Sequence, residues 1–207
     1  MDITQNDTSG QHDSTQHFEI LQELGDCYCS MGDYEKAKKY YENAAVLEPD
    51  EAAPYVGIGV VALQNNQLDD AHAAFKVACR LDTNCAKAYS GLGMVAQQKN
   101  EFQYAFNMYL KSLELDSENM IGLLGLFQTS CQMGSFEHVT HYLEMYLDMH
   151  PGDTSVMYPL AALYMKDGKI EASQNILRDI LVLDPNNTDA ANLLEEIEHN
   201  FAQVRKR

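Results

Sequence analysis

The chain repeats itself every 34 residues, and no other feature constrains its fold as strongly. The stretch LGDCYCSMGDYEKAKKYYENAAVLEP from Leu24 aligns with IGVVALQNNQLDDAHAAFKVACRLDT from Ile58 and with LGMVAQQKNEFQYAFNMYLKSLELDS from Leu92. Two further copies start at Leu126 and Leu160, giving five repeats: 18–51, 52–85, 86–119, 120–153 and 154–187. Each repeat holds two stretches with apolar residues at i, i+3, i+4 and i+7, which predicts a pair of helices joined by a short turn. In the first repeat helix A falls near 18–31 and helix B near 34–47, with Gly32 in the turn and Pro49 ending helix B. Pro151 and Pro185 share the phase of Pro49, while Thr83 and Ser117 replace it in between. Residues 188–207 supply a sixth A-type helix and a basic C-terminus. The apolar stripe Ala190, Leu193, Leu194, Ile197, Phe201, Val204 suits it to cap a stack, and Arg205, Lys206 and Arg207 suit a helix C-terminus. Residues 1–17 are polar and predict a disordered tail.

Small residues recur with the repeat. Gly25, Gly59 and Gly93 sit in the middle of helix A, and Ala37, Ala71 and Ala105 sit in helix B. Glycine there costs about 1 kcal/mol of helix propensity relative to alanine. Its recurrence implies two helices in close approach, with the gap filled by Tyr41, Phe75 and Tyr109. Together these residues resemble the tetratricopeptide repeat, whose pattern is an L-G pair in helix A, then alanine, aromatic and alanine in helix B, then proline. Repeat four departs from the pattern with Phe127 and Val139, and repeat five with Ala161, Ser173 and Leu177. The resemblance implies an all-α fold, a right-handed α-solenoid of five helix pairs plus the capping helix, with the A helices lining a concave groove.

Composition narrows the function. Fourteen Lys plus Arg against 31 Asp plus Glu give a formal net charge of −17, which disfavours nucleic acid and anionic membrane as partners. No apolar run is long enough to insert into a membrane, and MDITQNDTSGQHDSTQH lacks the basic start and apolar core of a secretory signal. The five cysteines have no paired spacing, so reduced thiols and a cytoplasmic location are expected.

No motif carries catalysis or a cofactor. Gly57-Ile-Gly59-Val-Val-Ala62 and Gly91-Leu-Gly93-Met-Val-Ala96 match a loose dinucleotide fingerprint, but both lie within helices at the repeat phase. His138 and His141, near Glu137 and Glu144, lack an evident third ligand and read as a solvated face. Neither an enzyme, a metal nor a cofactor is expected.

The predicted working surface is the inner face of the A helices: Glu19, Glu23 and Asp26 in the first, then Val56, Gly57, Val60 and Leu63. Lys87, Gly91 and Met94 follow, then Ile121, Leu124, Gly125 and Gln128, and lastly Tyr158 and Met165. Gly57, Gly91 and Gly125 stand one repeat apart and predict a bare backbone strip that a ligand could approach. Chaperone-binding relatives of the repeat clamp a C-terminal carboxylate with several cations; Lys87 is alone among these positions, so that activity is not implied. Repeat one has nine acids and three bases, net −6, and would set an acidic mouth beside an apolar channel. The expected function is a protein-binding scaffold or chaperone-like adaptor, holding an apolar helix or extended peptide with a basic end. A self-assembling structural protein, or an accessory subunit of an enzyme or secretion complex, is the alternative. In repeat five, Pro159 predicts a kink or a helix start delayed to about Tyr158.

Overall fold

The computed structural model describes the backbone of residues 7–136 and 138–204 and the side chains of residues 15–136 and 138–199. Among the described residues there are eleven helices and no strand. They run α1 (Asp7–Ser30), α2 (Tyr34–Leu47), α3 (Ala52–Gln64), α4 (Leu68–Leu81), α5 (Ala86–Gln98) and α6 (Phe102–Leu115). Then come α7 (Met120–Met133), α8 (Val139–Met149), α9 (Thr154–Lys166), α10 (Ile170–Leu183) and α11 (Thr188–Val204). The fold is an all-α solenoid class built of helix pairs.

Each A-to-B turn passes through one left-handed residue. These are Gly32 (φ 77°), Asn66 (58°), Asn100 (60°), Gly134 (69°) and Gly168 (77°), one repeat apart. Only glycine and asparagine occupy the position, as the sterics of positive φ require.

The chain divides into two compact lobes between Asp116 and Ser117. In the first lobe α1 pairs with α2, α3 with α4 and α5 with α6, and each later A helix also packs on the preceding B helix. Ala37, Ala71 and Ala105 are fully buried where the pairs cross, beside Tyr41, Phe75 and Tyr109. In the second lobe α8 packs on α7 and α9, and α11 covers α10. Ala190, Leu193 and Ile197 of α11 join Met157, Ala161, Leu177 and Ile180 in one apolar cluster, as the stripe predicts for a capping helix. The side chains of Phe201 and Val204, and the basic run Arg205–Arg207, lie outside the described residues.

Two expectations need correction. The N-terminal segment is helical from Asp7, not irregular up to residue 17. Its polar composition foretold a lack of core contacts; once α1 is nucleated by packing further along, each added residue gains a helical bond at little cost. Residues 1–6 lie outside the described residues. In repeat five the helix starts at Thr154 rather than near Tyr158, with Pro159 inside it. Asp153 caps that start, accepting from the Ser155 amide at 3.0 Å. Pro159 is past the first turn and brings no N–H for the carbonyl four residues back, and its ring is buried.

Candidate binding cleft

Alternate glycines of one A helix serve two different neighbours. A Cβ added at Gly25 would lie 2.5 Å from Tyr41 Cε1, and one at Gly57 would lie 2.5 Å from the same atom. Phe75 is bracketed likewise: a Cβ at Gly59 would lie 2.7 Å from its Cε1, and one at Gly91 2.5 Å from its Cζ. Tyr41 and Phe75 are thus each held between a glycine of their own helix A and a glycine of the next. Residues two apart on a helix point about 200° apart, which is why the G-x-G pair faces both ways.

This corrects the predicted bare strip. Gly57 and Gly91 have their open sides filled by Tyr41 and Phe75, so neither offers a ligand free backbone on that side. Gly125 is buried as well, and its carbonyl accepts from Thr129 Oγ1 at 2.5 Å. Leu63 is also buried, in a cluster with Ala62, Ala71, Phe75, Leu92 and Val95, and Met94 packs against the same cluster. The helical phase of Leu63 turns it to the neighbouring helix instead of the groove, whereas Met94, like Val56 and Val60, packs on the cluster while staying partly exposed.

The remaining first-lobe positions do converge. Asp26, Val56, Val60 and Lys87, with the backbone of Gly57, line a cleft of about 750 Å³ bounded by α1, α3 and the start of α5. Glu19 and Glu23 are exposed on α1 but do not line it. The turns between repeats contribute Asp50, Glu51, Leu81, Asp82 and Cys85, which the inner-face reading passed over because it counted only helical positions. Their signal was the acidic segment Glu48-Pro49-Asp50-Glu51 and its counterpart Asp82. In the second lobe Ile121 and Gln128 are exposed on α7 and Leu124 is half-buried. Tyr158 and Met165 pack against the apolar cluster of α9, α10 and α11.

Four carboxylates (Asp26, Asp50, Glu51, Asp82) and one ammonium (Lys87) border the cleft over the apolar Val56 and Val60. The Tyr41 hydroxyl donates to Asp26 Oδ1 at 2.7 Å, and burial followed by that bond pushes the phenol pKa up. Burial, then the Asp26 charge, raises the Cys29 thiol; burial also leads the upward shift of Cys85. Thiols held protonated this way are poor nucleophiles. Among the described residues no group of three or more His, Cys, Asp or Glu is placed to hold a metal ion. The cleft thus sets an excess of negative charge around a partly apolar floor.

Comparison with known proteins agrees with this architecture. Two family profiles, both described as tetratricopeptide repeat, match residues 18–51 and 132–197. Those two segments are tetratricopeptide repeats. Such repeats are of a class that mediates contacts between proteins. Among solved structures, PilF of Pseudomonas aeruginosa superposes with a TM-score of 0.78 at 18% identity, over 93% of this chain and 88% of that one. YrrB, described as having an unusual peptide-binding site, gives 0.64 at 16% identity over 92% and 98%. The first repeat domain of Spaghetti (RPAP3), solved with the HSP90 peptide SRMEEVD, gives 0.53 at 22% identity over 58% and 95%. A comparison by sequence with curated proteins finds no match. Among the described residues no helix is long and apolar enough to cross a membrane.

Proposed function

We propose that the protein is a non-catalytic interaction module, a scaffold or chaperone-like adaptor, whose first-lobe cleft holds an extended segment with apolar residues and a basic end. The observation that carries this reading is the cleft lining itself: Val56 and Val60 under a border of four carboxylates and one ammonium. Apolar anchors supply affinity in such a site, while rim charge sets orientation and encounter rate. The acid excess sets it apart from sites that would take an acidic peptide such as SRMEEVD. All five cysteines are free, which supports a reducing compartment such as the cytoplasm.

A displayed peptide library tests the proposal. Selection on the intact chain is expected to enrich extended apolar sequences carrying Lys or Arg, and Val60→Glu is expected to abolish capture while helical circular dichroism is retained. Recovery of the same peptides by the variant would move the site off the cleft. Self-association is the second reading, favoured by Leu47, Leu81, Met149 and Leu183, which share one repeat phase at helix ends and are 37%, 37%, 46% and 56% exposed. Light scattering over a concentration series separates the two.

A further inference from the structure

The charges of the cleft are unevenly placed: its single ammonium, Lys87, stands at the α5 end beside Asp82, while Asp50 and Glu51 border its middle. At the α1 end stand Gln22 and Asp26, one helical turn apart. Asp26 is not a free rotor, because the Tyr41 hydroxyl holds its Oδ1 at 2.7 Å. Tyr41 in turn cannot swing, since its ring lies between Gly25 and Gly57. One Asp26 oxygen therefore remains for a ligand, carried by a side chain anchored through the repeat interface. Phe75 fills the equivalent slot of the next repeat and has no hydroxyl, so the device is confined to the α1 end.

We propose that Asp26, fixed by Tyr41, selects a lysine or arginine side chain in the bound segment, and that Lys87 takes an anionic group at its other end. This rests on the cleft reading above and adds the register. The A helices α1, α3 and α5 pack in sequence. At about 8–10 Å between packed axes, α1 and α5 stand roughly 20 Å apart. An extended chain covers that span in about six residues at roughly 3.3 Å each. The occupant is thus a short amphipathic segment, basic at one end, apolar in the middle and acidic at the other.

Fluorescence anisotropy of the intact chain with two labelled, acetylated and amidated peptides tests this, Arg-Leu-Val-Ala-Leu-Glu against Gln-Leu-Val-Ala-Leu-Gln. The wild type should hold the charged peptide about five- to ten-fold tighter at low salt, as two partly exposed ion pairs allow. Asp26→Asn should bring the two affinities to within about two-fold. Tyr41→Phe should lower the preference part of the way without lowering the unfolding midpoint appreciably, since Phe75 shows that a phenyl ring fits such a slot. If that variant fails to fold, Asp26→Asn alone still decides the matter, being a substitution at an exposed position. Equal affinity of the wild type for both peptides, or an unchanged preference in Asp26→Asn, overturns the register and leaves the cleft reading standing. Saturable binding of neither peptide overturns both.

Discussion

The two lobes share one repeat frame and stabilise it by different means. In the first, Tyr41 and Phe75 are each gripped by two glycines from successive A helices, and Tyr109 faces Gly93 in the same way. In the second, the corresponding B-helix residues are Leu143 and Leu177, and the glycine of their own A helix is replaced by Phe127 and Ala161. The starts of the A helices differ in the opposite sense. Asn119, Asp153 and Asn187 each accept a backbone N–H in the first turn of α7, α9 and α11. The same phase in the first lobe holds Glu51 and Cys85, which make no side-chain cap. Steric interlock carries the first lobe, and it leaves the cap positions free to line a cleft. The second lobe commits those positions to its own helices.

The harshest way to break this contrast is Gly91→Leu. Its side chain would occupy the space of the Phe75 ring, costing about 3 kcal/mol or more by overpacking. Urea denaturation followed by circular dichroism should show the lowered midpoint. A wild-type midpoint would mean that the glycine pair does not grip the ring.

Phe75→Leu imports the second lobe's solution and leaves a void between Gly59 and Gly91, at about 2 kcal/mol. Here the sign of a second change decides. Gly59→Ala alone should destabilise, because its Cβ would lie 2.7 Å from Phe75 Cε1. In the Phe75→Leu background it should stabilise, having room and better helix propensity, by up to about 1 kcal/mol. Additive effects in this double-mutant cycle would refute the interlock.

For the second lobe, Asp153→Ala should cost about 1 kcal/mol through the lost cap of α9. Hydrogen bonds from Ser155, then from Tyr146, hold the Asp153 carboxyl below its ordinary pKa. A lowered folded pKa means that this stabilisation is complete above the ordinary carboxylate value and disappears as pH falls through the lowered one. Acid titration of helical content should therefore be shallower for Asp153→Asn, which caps without titrating. The smallest effect is the reciprocal graft. Glu51→Asp would give α3 the cap it lacks, raising stability by about 0.5 kcal/mol, and a loss of peptide affinity on the same change would separate its two uses.

The helix pairs were legible because a helix-breaking glycine recurring through the first three repeats needs a steric reason, and an aromatic stood at the right spacing to supply it. The same signal misled at Gly57, Gly91 and Gly125. Recurrence tells that a side chain is unwelcome, not whether protein or ligand fills the gap. Leu63 was misplaced for a related reason: inner face and neighbour-facing stripe differ by a fraction of a turn, which sequence phase does not resolve. Asp26, Val56, Val60 and Lys87 share one cleft because they lie where helical spacing puts them. Asp50, Glu51 and Asp82 were missed because their placement depends on how one repeat turns into the next. The left-handed turn residue was noticed only at Gly32, since Asn66 and Asn100 serve the same backbone under a different letter.

The shared aromatic also sets rules for splicing. Repeats two and three each bring one glycine to receive the predecessor's ring and another to receive their own. Excision of the 34 residues Gly57–Ser90 would carry Gly91 into the place where Gly57 now meets Tyr41, so lock and key are restored at the seam. A cut one residue longer or shorter would offer Tyr41 a side chain in place of the glycine. A gene encoding the first lobe can therefore lengthen or shorten by whole repeats with its junctions already fitted, whereas the leucine-based junctions of the second lobe carry no such matched pair of glycines.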